Sequence, residues 1–296
     1  MNVLVTGASG FIGLPLTRHL STLGHCVRAL ARRPIERDAG GRAEWVSGDM
    51  RDAASLERAV GGMEGVVHLA CATGVARESV AHAVNVEGTR ALLDAARRAG
   101  VRRFVFVSSI SAVRERMGPY GRTKREGEAL VAASGLEFVI LRPSLVYGAG
   151  SSGLFARLAR SMRSLPVVPV IGNGRIEIDP VHVDDVCAVI GQCLERAEIL
   201  GRTYDLLGPD RVTFDDLLRR LARHLGVEAR LFHVPAFVAL PVAGALGLLM
   251  ERPPLSVDNV LGMVSPARVD GAPARRDFAI AWTPLAAGLQ GVGKAA

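Results

Sequence analysis

This sequence has few of the residues that mark disulfide-rich, metal-binding or aromatic-rich proteins. Aromatic residues make up 5% of its 296 residues, and the only cysteines are Cys26, Cys71, Cys187 and Cys193. No two of them form a CxxC pair, and none has a histidine at ligand spacing. This argues against a zinc site and against a disulfide framework. We expect four buried small hydrophobes in a reducing compartment and no metal site.

Concentrated charge of one sign is also missing. The net charge is +7 and the pI is about 9.9, which favours anionic ligands. The arginines, however, are scattered, and no basic run is interleaved with aromatic residues as nucleic-acid binding would require. The first predicted strand begins at residue 2, which leaves no room for a signal peptide, so a cytoplasmic protein is expected.

Only one apolar run is long enough to raise the question of a membrane. It extends from Val234 to Met250, which is 17 residues, and contains Pro235 and Pro241. This length is at the short limit for a spanning helix, and prolines interrupt it where such a helix should be continuous. The run therefore predicts a buried helix or the wall of an apolar pocket and no transmembrane segment, with membrane contact as the alternative.

The chain opens with a glycine motif. The apolar run Asn2 to Val5 leads into TGASGFIG, and a helical pattern follows immediately. A strand that turns tightly into a helix presents backbone N–H groups and the positive end of the helix dipole to a dinucleotide pyrophosphate. Gly7 allows the turn, Gly10 lets a phosphate approach, and Gly13 allows close helix–strand packing. The predicted cofactor-binding residues of this motif are Gly7, Ser9, Gly10, Phe11, Ile12 and Gly13.

Strand and helix signals alternate through the first half of the chain, and the strands are continuously apolar. This pattern predicts an α/β fold, a Rossmann-like doubly wound parallel sheet with a smaller C-terminal substrate lobe. We assign residues 1–148 to the dinucleotide-binding domain, which the chain rejoins at about 178–208. Residues 149–177 and 209–296 are assigned to the substrate-binding lobe.

The end of the second strand bears on the choice of cofactor. An acidic residue there would bind the ribose 2′-hydroxyl, whereas arginines would pair with a 2′-phosphate. The sequence has Arg32 and Arg33 and no acid before Glu36. Because a guanidinium forms charge-assisted hydrogen bonds with phosphate, NADP(H) is favoured over NAD(H). The alternative is that both arginines are solvated surface charges.

A second motif carries the chemistry. Tyr120 and Lys124 are four residues apart at the start of a predicted helix, so they share one face. The lysine ammonium can lower the pKa of the phenol, which is ordinarily near 10, and can hold a ribose hydroxyl. Ser108 and Ser109 end the preceding strand, where a hydroxyl can orient a substrate alcohol or carbonyl while the tyrosine exchanges its proton.

These features together resemble the extended or atypical short-chain dehydrogenase/reductase superfamily, in its epimerase/dehydratase-like branch. The resemblance covers about residues 1–208 and is carried by TGASGFIG, GDMRD, VVHLA, NVEGTRALLDAA, FVFVSS, YGRTK, LRPSLVYG and PVHVDDV. It implies Ser109, Tyr120 and Lys124 as catalytic residues, with Ser111 as an alternative serine. It also places Asp49 and Met50 at the adenine, Leu69 and Ala70 beside the ribose and phosphates, Pro143 near the nicotinamide, and Asn85 behind the proton relay.

Two departures from the family pattern concern the substrate. Relatives that act on sugar nucleotides resemble one another in having an arginine just before the VHVDD strand, where this sequence has Ile178, with Arg175 three residues earlier. Only ten residues separate Ser109 from Tyr120, which removes one wall of the usual sugar pocket. His182 and Asp184 are interpreted as a strand residue and a helix N-cap.

The leading hypothesis is therefore an NADP(H)-dependent oxidoreductase that interconverts a ketone and a secondary alcohol on a small or apolar organic substrate. One alternative is a sugar epimerase or dehydratase. The other is a non-catalytic NADP(H)-binding structural or sensory protein. Beyond the small-molecule substrate, a homodimer is the one partner that the family resemblance suggests.

Overall fold

The computed structural model describes residues 1–33, 43–74, 77–150, 154–164, 167–251 and 253–292. In chain order the strands are β1 (Asn2–Thr6), β2 (Cys26–Ala31), β3 (Glu44–Ser47), β4 (Gly65–His68), β5 (Arg103–Val107), β6 (Glu137–Pro143), β7 (Val146–Tyr147), β8 (Val167–Ile171), β9 (Glu177–Ile178), β10 (Val181–His182), β11 (Arg202–Leu206), β12 (Val212–Thr213) and β13 (Arg230–Val234). The α-helices are α1 (Gly13–Thr22), α2 (Ala53–Val60), α3 (Glu78–His82), α4 (Gly88–Arg98), α5 (Pro119–Ala132), α6 (Leu154–Ser164), α7 (Val183–Glu195), α8 (Phe214–Leu225), α9 (Ala236–Leu249), α10 (Val257–Val264), α11 (Ala272–Asp277) and α12 (Leu285–Gly288).

The main sheet has seven parallel strands within the described residues, in the order β11-β6-β5-β4-β1-β2-β3. Strands β4 and β5 are buried along their whole length because helices cover both faces of the sheet. The strand order reverses between β1 and β4, and ligands of such sheets bind at this point, beyond the carboxyl ends of the strands. The predicted Rossmann-like doubly wound fold is confirmed.

Three large apolar clusters hold the molecule together. One lies on each face of the main sheet, and the third joins β8, β9 and β12 to α6, α8 and α12 outside the sheet. In the part of the chain that the structure describes, β11 is the one strand after β6 that joins the main sheet. The other strands of the stretch 178–208 pair elsewhere, since β9 forms a two-stranded ladder with β12 and β10 with β7.

Hydrophobic spacing predicts one helix over residues 79–99, and the structure interrupts it. A turn of π-helix at Ala83–Glu87 separates α3 from α4, and it contains Asn85. Such single-turn widenings are often found at functional sites. Hydrophobic spacing alone could not reveal it, because the same apolar residues suit a continuous helix.

The apolar run forms helix α9, but the expectation that this helix is buried was wrong. Only Ala239 and Ala243 are buried, whereas Phe237, Leu248 and Leu249 are 78%, 86% and 82% exposed. Among the described residues, no helix combines the length and the apolar character needed to cross a bilayer.

The cysteines correct a second expectation. Cys187 and Cys193 are buried as predicted, but Cys26 is exposed and Cys71 is half-buried. Cys26 lies at the first position of its strand, where side chains reach solvent, and Cys71 follows the end of β4. In the described parts of the chain, no group of three or more metal-ligating side chains is assembled.

Candidate active site

The glycine turn has the geometry that a phosphate cradle needs. Gly7 has φ of +69°, and a Cβ there would lie 2.8 Å from the backbone nitrogen of Ala70. A Cβ on Gly13 would lie 2.3 Å from the carbonyl oxygen of Gly7. Helix α1 begins at Gly13 with no side-chain cap at Ile12 and no acid in its first turn, so its N-terminal N–H groups suit an anion.

A cleft of about 770 Å³ opens beside this turn at the carboxyl ends of the strands. It brings together most of the residues predicted from the sequence: Gly7, Ser9, Gly10, Phe11, Ile12, Gly13, Arg32, Asp49, Met50, Leu69, Ala70, Ser109, Tyr120 and Pro143. Four others do not line it. Arg33 is exposed elsewhere, Lys124 and Asn85 are buried behind the wall, and Ser111 lies on a 3₁₀ turn.

Three charged side chains lie at the end of the cleft that β2 forms. Asp49 accepts two hydrogen bonds from the Arg51 guanidinium, at 3.0 and 2.8 Å. These bonds lower the pKa of Asp49 to about 2, and the charge of Arg32 contributes to the shift. Arg51 also lines the cleft and was missed from the sequence, although its spacing from Asp49 is short enough to have indicated the pair.

Tyr120 lies on the wall of the cleft, on the first turn of α5. Ser109 is close enough to influence the pKa of the Tyr120 phenol, and its side chain caps the 3₁₀ turn Ile110–Val113 by accepting from the Ser111 backbone N–H at 3.1 Å. Burial raises the pKa of the Tyr120 phenol, and the neighbouring Cys71 and Asp258 raise it further, against the effect of Ser109.

Lys124 is 2% exposed and lies one turn further along α5. Its Nζ donates to the Val107 carbonyl at 2.6 Å and lies 4.3 Å from the centroid of the Phe106 ring. Burial lowers the pKa of this ammonium. The sequence predicts that Lys124 lowers the pKa of Tyr120, but in this structure burial dominates and the net shift is upward.

Asn85 connects two segments behind the site. Its Oδ1 accepts from the Ala72 backbone N–H at 2.7 Å, while its Nδ2 donates to the Ala72 carbonyl at 3.2 Å and to Thr123 Oγ1 at 3.0 Å. All of its amide groups are thereby engaged by protein, one residue from Cys71 on the cleft wall. The π-turn places the Asn85 amide where it contacts both the cleft wall at Ala72 and helix α5 at Thr123.

Two buried hydroxyls facing the cleft region have no protein partner. Ser108 and Ser144 both line the cleft, and within the described residues neither Oγ has a hydrogen-bond partner. A buried hydroxyl without a partner is energetically unfavourable, so such groups indicate a bound ligand or water. Together with the glycine cradle, these hydroxyls fit a dinucleotide and a polar substrate group. Ser144 was not identified from the sequence.

Helix α5 is capped by a residue from the C-terminal part of the chain. Gly118, at the N-cap of α5, has no side chain, and Asp258 of α10 takes its place by accepting from the Tyr120 N–H at 3.2 Å. The segment before the helix is tied to the same region, where the Arg116 N–H donates to Ser265 Oγ at 2.8 Å. A separation of 138 residues kept Asp258 out of any sequence motif.

Ile178 occupies the position at which relatives that act on sugar nucleotides are expected to have an arginine, and it makes an apolar contact. Ile178 is buried and pairs with Val212 across the β9–β12 ladder. Arg175 lines a separate cavity in the lobe, of about 800 Å³, and does not line the cleft.

The N-cap of α7 is His182, not Asp184 as the sequence suggests. Asp185 is buried, and its two carboxylate oxygens accept hydrogen bonds from the backbone N–H and the hydroxyl of Thr283.

Comparison with known proteins identifies relatives of this architecture. The model of the NAD dependent epimerase/dehydratase family matches residues 3–206. The ceramide reductase of Caulobacter vibrioides is 34% identical over 253 residues, covering 82% of this chain and 76% of the relative. The 2-alkyl-3-oxoalkanoate reductase of Stenotrophomonas maltophilia is 27% identical over 314 residues, covering 94% of each chain. Among solved structures, MoeE5 in complex with UDP-glucuronic acid and NAD superposes with a TM-score of 0.78 at 25% identity, covering 98% of this chain and 96% of that one.

Proposed function

The chain belongs to the NAD dependent epimerase/dehydratase family, and from that premise we propose that it is an NADP(H)-dependent reductase that interconverts a ketone and a secondary alcohol. The observation that carries the proposal is that Ser109 and Tyr120 both line the cleft, with the buried Lys124 one helical turn from the tyrosine. This arrangement supplies a proton donor and an orienting hydroxyl at one point.

A nicotinamide cofactor in the cleft would supply the hydride. Ser109 holds the substrate carbonyl oxygen next to the Tyr120 hydroxyl, which delivers its proton to that oxygen in reduction and removes it in oxidation. Because Tyr120 has a raised pKa in its buried site, it is protonated at neutral pH and suited to act as the acid in reduction. Lys124 lies behind the tyrosine, where its ammonium form would stabilise the phenolate that forms in oxidation.

The preference for NADP(H) is supported by the charges at the β2 end of the cleft. Arg32 and Arg51 both line it, and the carboxylate of Asp49 is bound to Arg51. Two guanidinium groups around this position favour a 2′-phosphate through charge-assisted hydrogen bonds.

The substrate class is inferred from the other end of the cleft. Val80, Val84 and Val146 line it there, and the buried Ile178 replaces the arginine that would hold a sugar nucleotide. Two of the relatives are named as reductases, and the name of one specifies a 3-oxo group. A ketone on an apolar organic molecule fits these observations better than a nucleotide sugar.

The test of catalysis is NADPH oxidation with a panel of apolar and water-soluble ketones. Tyr120→Phe removes the proton donor but keeps the ring, so the rate is expected to fall by about 10² to 10⁴-fold. NADPH binding, followed by nucleotide fluorescence, should stay unchanged in this variant. Equal turnover by wild type and Tyr120→Phe would disprove the assignment of Tyr120.

Sugar nucleotides provide the contrasting measurement. Conversion of a UDP-sugar without net NADPH consumption would establish the epimerase or dehydratase alternative. Tight cofactor binding with no turnover of either panel would instead favour a non-catalytic binding protein.

The cofactor assignment has its own test in Arg32→Ala. The ratio of the Kd for NADH to that for NADPH should fall by about tenfold or more, because one charge-assisted phosphate contact is lost. Arg33→Ala is the matched control, since Arg33 does not line the cleft. If wild type binds NADH more tightly and Arg32→Ala leaves the ratio unchanged, the preference for NADP(H) is refuted.

A further inference from the structure

The exposed apolar surface of this protein is concentrated in one segment. Nine large hydrophobic side chains are exposed in the described parts of the chain, and seven of them lie between residues 232 and 250. They are Phe232, Phe237, Val238, Val242, Leu248, Leu249 and Met250. We call this set the α9 surface. A contiguous patch of this kind is rare on a monomeric soluble protein and marks an interaction site.

Helix α9 rests on the protein through two alanines and the partly buried Leu240. Its buried side chains are Ala239 and Ala243, which pack with Val260 of α10 in a cluster separate from the three large ones. The outward face is as apolar as the inward face. A helix that is apolar all round belongs in a protein core or in contact with lipid, so the outer face of α9 is suited to an apolar cover.

The chemistry of the helix selects a bilayer as that cover. Between residues 234 and 250 no side chain can form a hydrogen bond. Protein interfaces carry about one hydrogen bond per 100–200 Å² and a polar rim, whereas hydrocarbon requires no side-chain partners. At 14 residues α9 is about 21 Å long, which is too short to span a bilayer but suits a helix lying in its surface.

Charges beside the helix favour anionic lipid. At its start, Arg175, Arg219 and His233 line one cavity with Pro235, the residue that precedes α9. Arg219 and His233 contact the largely buried Asp215, at 3.5 and 3.0 Å, and the guanidinium groups of Arg175 and Arg219 are exposed. Basic side chains next to an apolar helix attract anionic headgroups.

The far end of the helix reaches the candidate active site. Leu248, Leu249 and Met250 are followed directly by Glu251, which lines the cleft and lies 4.0 Å from Arg77 across its mouth. The most exposed leucines are therefore adjacent in the chain to the entrance of the cleft.

We propose that the α9 surface docks this protein on an anionic bilayer, with the mouth of the cleft next to the headgroups. An apolar ketone dissolved in the bilayer would then enter the cleft without crossing bulk water. This last step rests on the proposed function, but the docking itself does not.

The test of docking is co-sedimentation with vesicles, in the absence of substrate. Wild type should bind vesicles of phosphatidylcholine with phosphatidylglycerol more tightly than vesicles of phosphatidylcholine alone. The double variant Leu248→Gln/Leu249→Gln should bind at least about tenfold more weakly, because it removes apolar contact without changing charge. Leu23→Gln, at an exposed leucine on the opposite domain, is the matched control and should bind as wild type does.

The charge argument is tested separately. Arg175→Gln/Arg219→Gln should weaken binding to the anionic vesicles several-fold and leave binding to phosphatidylcholine unchanged. Equal affinity for both vesicle types in wild type would overturn the choice of anionic lipid.

Three results would overturn the proposal as a whole. These are failure of wild type to sediment with either vesicle, unchanged binding by the leucine double variant, and a dimer in solution that the same variant dissociates. The last would assign the α9 surface to a second copy of the chain. Turnover of a water-soluble ketone by the double variant, measured without vesicles, tests the proposed function independently of docking.

Discussion

Helices α5 and α9 are both 14 residues long, and their burial is the reverse of what their sequences suggest. Helix α5 contains three lysine or arginine residues and two glutamates among its first ten positions, yet it buries Lys124 and Glu128. Helix α9 contains no polar side chain and exposes Phe237, Leu248 and Leu249.

The difference shows that the burial of a helix's side chains depends on the elements that pack against it. Helix α5 is packed against β5, the 3₁₀ turn and α10, and its buried charges have partners. Lys124 Nζ donates to the Val107 carbonyl. The Arg142 guanidinium donates to the two carboxylate oxygens of Glu128 at 2.9 and 2.6 Å. Helix α9 has one neighbouring helix and a small cluster beneath it. The tightly packed helix carries the proposed chemistry, and the loosely packed one carries the proposed docking surface.

Gly121→Ala should have the largest effect of the structural variants, because it tests the close packing of α5. A Cβ on Gly121 would lie 2.5 Å from the Ser111 carbonyl oxygen, which is backbone and cannot move away alone. We expect the free energy of unfolding to fall by about 1–3 kcal/mol. Urea denaturation measures it, and ketone turnover should fall as well, since Ser109 and Tyr120 lie on the two segments forced apart. An unchanged unfolding midpoint would contradict the packing described for α5.

Asp258→Asn should have an intermediate effect, on pH dependence. It keeps a side-chain oxygen to cap α5 but removes a negative charge that raises the pKa of Tyr120. In alcohol oxidation the tyrosine must be deprotonated, so activity rises as the pH passes through its pKa. With the charge removed that pKa falls and the rising limb moves to lower pH, so at each alkaline pH below the pKa, kcat/KM should rise about threefold for a fall of about half a unit.

The measurement is kcat/KM for oxidation of a secondary alcohol with NADP⁺ across the alkaline range. Cys71, Ser109 and Lys124 also face Tyr120 and are unchanged in this variant. Asp94→Asn, at an exposed position of α4, is the control and should leave the profile in place. A shift of the limb to higher pH would contradict the assigned role of Asp258.

Gly244→Ala should have the smallest effect and the opposite sign to Gly121→Ala. A Cβ at Gly244 meets nothing within 4 Å, so the substitution adds helix propensity without a clash. We expect the free energy of unfolding to rise by about 0.5–1 kcal/mol. Thermal denaturation of the two alanine variants side by side compares the helices directly. A loss of stability in Gly244→Ala would show that α9 is packed more closely than its exposure indicates.

Much of the cofactor half of the site could be predicted because its signals are short. The turn around Gly7, the arginines after β2, and the Tyr120–Lys124 spacing each occupy a few consecutive residues, and the structure brings most of them to one cleft. Arg51 was overlooked although it is equally local. The seven-stranded sheet was predictable for the same reason, since each strand and helix is recorded in its own hydrophobic pattern.

The rest of the site depends on contacts between distant parts of the chain. Asp258 caps the helix of Tyr120 from 138 residues away, and no pattern near either residue indicates the other. The unpartnered hydroxyls of Ser108 and Ser144 became visible only when their surroundings were known. Periodicity likewise identified Ser79 to Ala99 as helical but could not detect the π-turn that positions Asn85.

By itself, then, the sequence determined the doubly wound sheet and the glycine turn, because these follow from local hydrophobic periodicity and from the backbone freedom of Gly7. Only the tertiary structure decided which apolar side chains are covered. The sequence shows that residues 234–250 prefer to leave water. Whether they find partners depends on the surfaces that the fold places around them, and beneath α9 it places enough to bury Ala239 and Ala243 while Leu248 and Leu249 stay exposed.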